Sequence, residues 1–103
     1  MAQVDTSYHV VWRPQAKTDL AHIVEYIALD SPNRAETFSQ ELRNKTLLLA
    51  QHPELGRTGR PGLPDYVREL VVHRNYIIFY RIIDDTHTVE VLRIKHAAQR
   101  RPS

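Results

Sequence analysis

Eight consecutive residues in the second half of the chain, the stretch YIIFYRII from Tyr76 to Ile83, constrain the fold more than any other segment. A strand sends successive side chains to opposite faces, so a run that is apolar at nearly every position has to be covered on both. It reads as the central strand of a sheet, with helices on one face and a loop, the C-terminal tail or another chain on the other. The runs VRELVV from Val67 and TVEVLRIK from Thr88 have the same β-branched character. They are separated from the central run by His73 to Asn75 and by DDTH at 84–87, short enough for hairpins. A three-strand meander follows.

Upstream of this region the apolar period is helical. Tyr8, Val10 and Trp12 alternate over a short strand, and Pro14 then stands where a first helical residue needs no N–H. Ala16, Leu20, Ile23, Val24 and Ile27 recur at helical spacing, which predicts a helix over 14–29. Ser31 is placed to accept from the free amides of a second helix that opens at Pro32. The stripe of that helix is Ala35, Phe38, Leu42, Thr46 and Leu49, widened near its end by Leu47 and Leu48, and Pro53 stops it after residue 51. Two helices joined by so short a connection form an antiparallel hairpin. Trp12, Phe38 and Phe79 are expected in the core. Residues 53–66, PELGRTGRPGLPDY, read as a loop that is long for a compact domain and carries Arg57 and Arg60.

Composition narrows the chemistry. The chain has 103 residues and no cysteine, which excludes disulfides and thiolate catalysis. No basic segment precedes a long apolar run, and nowhere do apolar residues continue for a membrane span, so a cytoplasmic protein without membrane contact is expected. Residues 1–52 hold five Lys and Arg against six Asp and Glu, whereas residues 53–103 hold nine against six, so the positive excess lies in the second half. It ends in the basic tail of residues 97–103, with Arg100 and Arg101. The six histidines show no metal-ligand spacing, and His22 with Glu25 lacks the second histidine of a metalloprotease helix. The glycines at 56, 59 and 62 precede Leu63-Pro64, not a Lys followed by Ser or Thr. Neither a metal nor a nucleotide cofactor is expected.

Metal-free RNA cleavage needs a base for the ribose hydroxyl, cations for the charged transition state and an acid for the leaving oxygen. Glu69, His73, Tyr80, Arg81 and His96 are of the right types, and Glu69 shares strand parity with His73 only if no bulge intervenes.

The order of strand, helical hairpin, arginine-bearing loop and three-strand meander resembles the RelE/ParE superfamily of toxins from type II toxin–antitoxin operons. The segments VVWRPQAKTDLAHIVEYIALDSPNRAETF, HPELGRTGRPGLPDYVRELVV, YIIFYRI and VEVLRIKHAAQRRP carry the resemblance, which spans residues 8–102. It implies an α+β fold in the order β-α-α-β-β-β, a single domain over 1–103 with the N-terminal strand and helical hairpin packed on a small, mainly antiparallel sheet. RelE-like members cut messenger RNA on the ribosome, and ParE-like members poison DNA gyrase. The cutting branch places lysines on the first meander strand and an arginine on the next. Here Val67, Glu69 and Ile77 occupy those positions, and the ending RIKHAAQRRP is closer to the ParE branch.

The resemblance therefore implies a toxin that inhibits gyrase by protein contact and is held neutral by a cognate antitoxin. Operator DNA is met only through the antitoxin, and higher-order toxin–antitoxin oligomers are compatible with it. The alternatives are a ribosome-dependent endonuclease, with His96, Arg81 and Glu69 as its catalytic candidates, and a non-toxic antitoxin-binding module. The expected contact residues are Arg57, Arg60, Arg68, Lys95, His96, Arg100 and Arg101. Arg68 has an alternative role in tying the sheet to the hairpin, and His96 in capping the sheet. Arg100 and Arg101 suit bidentate pairing with the carboxylates of an acidic, amphipathic antitoxin segment. The central strand and the tail, lacking evident cover within the chain, are expected to be covered by that partner.

Overall fold

A computed structural model describes residues 7–73 and 75–97. The elements run β1 (His9–Trp12), α1 (Pro14–Asp30), α2 (Pro32–Gln51), β2 (Arg68–His73), β3 (Tyr76–Ile83) and β4 (Thr88–His96), with single 3-10 turns at Pro53–Leu55 and Asp84–Thr86. Pro14 opens α1 as its first residue. The Ser31 side chain accepts from the Arg34 amide and starts α2 at Pro32, the cap the sequence signals. The α+β fold is the one expected.

The sheet order is β1-β4-β3-β2. The meander is antiparallel, and β1 lies parallel to β4 through His9–Thr88 to Trp12–Val91. After Trp12 the chain turns away: the Arg13 amide donates to the Val91 carbonyl at 2.9 Å, and α1 climbs over the sheet. The outer edge of β4 thereby loses its strand partner beyond Val91. Asp19 of α1 replaces it, accepting the Ile94 amide at 2.9 Å and the Arg93 guanidinium at 2.8 and 3.0 Å. Burial opposes the charged form of this carboxyl, but the hydrogen bonds from Arg93 and Ile94 outweigh it and hold its pKa below the ordinary value.

One face of the sheet carries the helical hairpin. Phe38, Leu42 and Leu49 of α2 and Ala16 of α1 close over Val72, Tyr76, Ile78, Tyr80, Val89, Val91 and Ile94. The stripe on α2 is buried as its spacing predicts, at Ala35, Phe38, Leu42, Thr46 and Leu49. Leu47 and Leu48 do not widen it: they point to solvent, 61% and 43% exposed, because the sheet reaches only one side of the last turn. Trp12 is half-buried at the border of the core, where β1 ends, while Phe38 and Phe79 are buried as expected.

The opposite face holds a second, smaller cluster of Val67, Ile77 and Phe79, with Leu92 and Ala97 against it. This answers the two-sided apolar strand, and it corrects the expectation that a partner must cover it. Val67 ends the 53–66 loop and Ala97 follows β4, so chain segments of this protein supply the cover, leaving Ile77 1% and Phe79 8% exposed.

Candidate functional site

The loop between α2 and β2 is fixed to the sheet at three places. The Tyr80 hydroxyl donates to the Pro53 carbonyl at 2.6 Å and accepts from the Gly56 amide at 2.7 Å. Burial pushes the pKa of this phenol up, which keeps it in the protonated form that can donate. Gly56 packs so closely that an added Cβ would lie 2.7 Å from the Tyr80 ring and from the Glu69 carbonyl. Arg68 donates to the Gly56 carbonyl at 2.7 Å and reaches the Glu54 carbonyl at 3.5 Å. Arg57 and Glu69 exchange backbone hydrogen bonds of 3.0 and 2.9 Å, a one-residue extension of the sheet beyond β2.

Glu69 completes the attachment. It is 8% exposed, and its carboxylate is gripped from both oxygens by Arg60, through Nε to one and through Nη2 to the other at 2.7 Å. A guanidinium matches a carboxylate in this two-bond geometry. The Arg60 guanidinium lies 5.7 Å from the centre of the Phe79 ring and so roofs the second cluster. Arg57 stands 3.8 Å from the same carboxylate, with its side chain 84% exposed. Two strands over, on β4, Glu90 is held by one bond from Arg81 of β3 at 2.6 Å and by Arg13 at 3.5 Å.

These contacts locate the residues singled out in the sequence. Val67 and Ile77, two of the positions where cutting relatives offer cations, are buried in the apolar cluster, and Glu69 beside them is neutralised by Arg60. Glu69 and Arg81 lie on the roofed face. Lys95 stands opposite Ile77 in the β3–β4 register. His96 follows it at the C-terminal end of β4, edge-on to Tyr76 at 5.1 Å, and lines a groove of about 430 Å³ with Asp19, His22, Ile23 and Tyr26 of α1. His96 pairs with Tyr76 and Arg81 with Glu90, so the two stand well apart along the β3–β4 register. A bulge between Val71 and His73 separates Glu69 from His73, whose ring packs 5.8 Å from Phe38 on the helical side. Arg68 bonds carbonyls of the loop after α2 rather than the helical hairpin itself. Arg100 and Arg101 lie outside the described residues. No three His, Asp or Glu side chains among the described residues come together around a metal position.

One surface escaped the sequence reading. Between α1 and α2, at the β1 edge of the sheet, Trp12, Leu20, Val24 and Leu42 line an open, mostly apolar groove of about 640 Å³, with Lys17 and Arg43 among its lining residues. The signal was there in the width of the α1 stripe: Leu20, Ile23, Val24 and Ile27 are all only half-buried in the intramolecular core.

A helical hairpin on one face of a four-stranded mixed sheet, with an arginine-bearing loop strapped over the other, defines the architecture of the RelE/ParE toxins. Residues 10–101 match the family described as ParE toxin of the type II toxin–antitoxin system, parDE. The chain belongs to this family and is the toxin of a type II toxin–antitoxin system. It is 39% identical over 90 residues to toxin RelE2 of Caulobacter vibrioides, covering 87% of this chain and 96% of that protein. The chromosomal ParDE toxin–antitoxin system from P. aeruginosa provides a structural neighbour with TM-score 0.71 and 26% identity, covering 89% of this chain and 98% of that one. The toxin–antitoxin complex RelBE2 of Mycobacterium tuberculosis shares the fold at TM-score 0.62 and 23% identity, covering 87% and 98%.

Proposed function

We propose that this toxin inhibits DNA gyrase by protein–protein contact and does not cut RNA, and that a cognate antitoxin holds it neutral. The observation that carries the reading is the roofed face. Cleavage without a metal needs several unpaired cations converging on one phosphate. Here Val67, Ile77 and Phe79 fill that region with hydrocarbon, and Arg60 and Arg81, two of the cations on this face beside Arg57 and Lys95, are each committed to a carboxylate of the same chain.

The helical groove supports the antitoxin half of the proposal. An amphipathic helix lays its apolar stripe into such a groove, and acidic residues beside the stripe would meet Lys17 and Arg43. Arg100 and Arg101, outside the described residues, are of the type that pairs with the carboxylates of an acidic partner. Charge reversal of both should weaken the complex through its off-rate if the pairs are desolvated and its on-rate if they lie at the rim.

Induction without the antitoxin tests the target: messenger RNA ends are mapped while DNA supercoiling and breakage are followed. The expected result is DNA damage with intact messages. Codon-phased cuts that vanish in a His96→Ala variant would replace this reading with a ribosome-dependent endonuclease. No growth phenotype at all would make the chain an inert antitoxin-binding module.

A further inference from the structure

Resting on the reading that the target is a protein, a second question is which surface meets it. We infer that the outer part of the 53–66 loop, through Arg57, Leu63 and Tyr66 together with Arg81 of β3, grips an acidic patch on the target and is separate from the helical groove.

The base of the loop is rigid and its outer part is bare. Tyr80, Arg68 and Glu69 fasten residues 53–60 to the sheet, so the segment beyond is presented from a fixed platform and loses little conformational freedom on binding. Gly59 and Gly62, at φ 93° and 87°, take the left-handed conformations that turn the chain there, and an added Cβ on either would meet nothing within 4 Å. On the fastened base the Arg57 side chain is 84% exposed, and beyond it Tyr66 is 57% exposed, both of the kinds that dominate protein contacts, with Leu63, 39% exposed, adding apolar surface between them. Tyr66 is backed by Arg81, whose guanidinium lies 5.8 Å from its ring centre and is anchored to Glu90.

Charge on this surface follows a rule that names the partner. Two of its carboxylates each have one close, more buried arginine and one distant, more exposed one: Arg60 and Arg57 for Glu69, Arg81 and Arg13 for Glu90. The close arginine satisfies the carboxylate, so the exposed guanidiniums at 3.8 and 3.5 Å keep donors for an anion from outside. A nucleic-acid track needs an unbroken line of cations. Here Glu69, Glu90 and Asp65 interrupt it, a pattern that admits single carboxylates between apolar contacts and repels a continuous phosphate backbone.

The variants Arg57→Glu, Arg57→Lys and Tyr66→Ala test this, each first checked for an unchanged melting temperature and unchanged affinity for the co-expressed antitoxin. Purified gyrase supercoiling and growth arrest are then measured. The expected result is that Arg57→Glu and Tyr66→Ala each raise the inhibiting concentration about tenfold or more, Arg57→Lys much less, with antitoxin affinity preserved. If the wild type arrests growth without touching gyrase, the gyrase reading fails, and the same variants judged on growth arrest still decide this surface. Full toxicity in Arg57→Glu and Tyr66→Ala, weakened antitoxin binding in the same folded variants, or a wild type without any toxicity would overturn the proposal. So would binding of a single-stranded RNA oligonucleotide that both substitutions abolish, which would assign the surface to nucleic acid.

Discussion

Replacing Tyr80 by Phe removes one oxygen and tests how the loop is held. The ring is 0% exposed and stays in the core, so the change isolates the hydroxyl. That hydroxyl serves two backbone groups, the Pro53 carbonyl at 2.6 Å and the Gly56 amide at 2.7 Å. The half-buried Pro53 carbonyl can rehydrate, so its bond is worth about 1 kcal/mol net, whereas the buried Gly56 amide is left without a partner at about 1–3 kcal/mol. The sum is about 2–4 kcal/mol, which for a domain of this size lowers the melting temperature by on the order of 10–20 °C. Urea denaturation followed by circular dichroism measures it, with an unchanged slope expected because the surface exposed on unfolding is the same. Limited trypsin digestion reports the local effect, since Arg57, followed by Thr58, lies just beyond the loosened turn and should be cut faster, whereas the Arg60-Pro61 bond resists trypsin in either protein. A variant as stable as the wild type and equally resistant at Arg57 would show that the hydroxyl does not fasten the loop.

Two further substitutions address the helical side. Phe38→Ala empties a site 3% exposed between α2 and the sheet and should cost about 3–5 kcal/mol, and an unchanged denaturation midpoint would contradict the packing. Asp19→Asn addresses pH: because the Asp19 pKa is lowered on folding, its contribution is complete above the pKa of the unfolded carboxyl and disappears as pH falls through the lower folded value. The stability gap between wild type and Asp19→Asn, read from melting temperatures across pH, should therefore be widest near neutrality and close on acidification, and a gap independent of pH would refute the Asp19 clasp.

The sequence by itself determined the elements, because their signals are local. The period of the Ala35-to-Leu49 stripe, Ser31 before Pro32, and the alternation of β-branched residues after Val67 depend only on neighbours within a turn or a strand. It also showed that the central strand needed two covers. Which covers, and which side chains share a face, the tertiary structure decided. A bulge between Val71 and His73 and another between Phe79 and Tyr80 shift strand register, and each shift changes the facing of the residues beyond it, which parity counting cannot see. The parallel placement of β1 beside β4, the Asp19 cap on the edge that β1 leaves open, and the exposure of Leu47 and Leu48 all depend on where distant segments meet. Glu69 shows the difference most clearly. In the sequence it is a negative charge where the resemblance to the cutting branch implies a lysine, and only the return of the loop, nine residues upstream, makes it the anchor for Arg60.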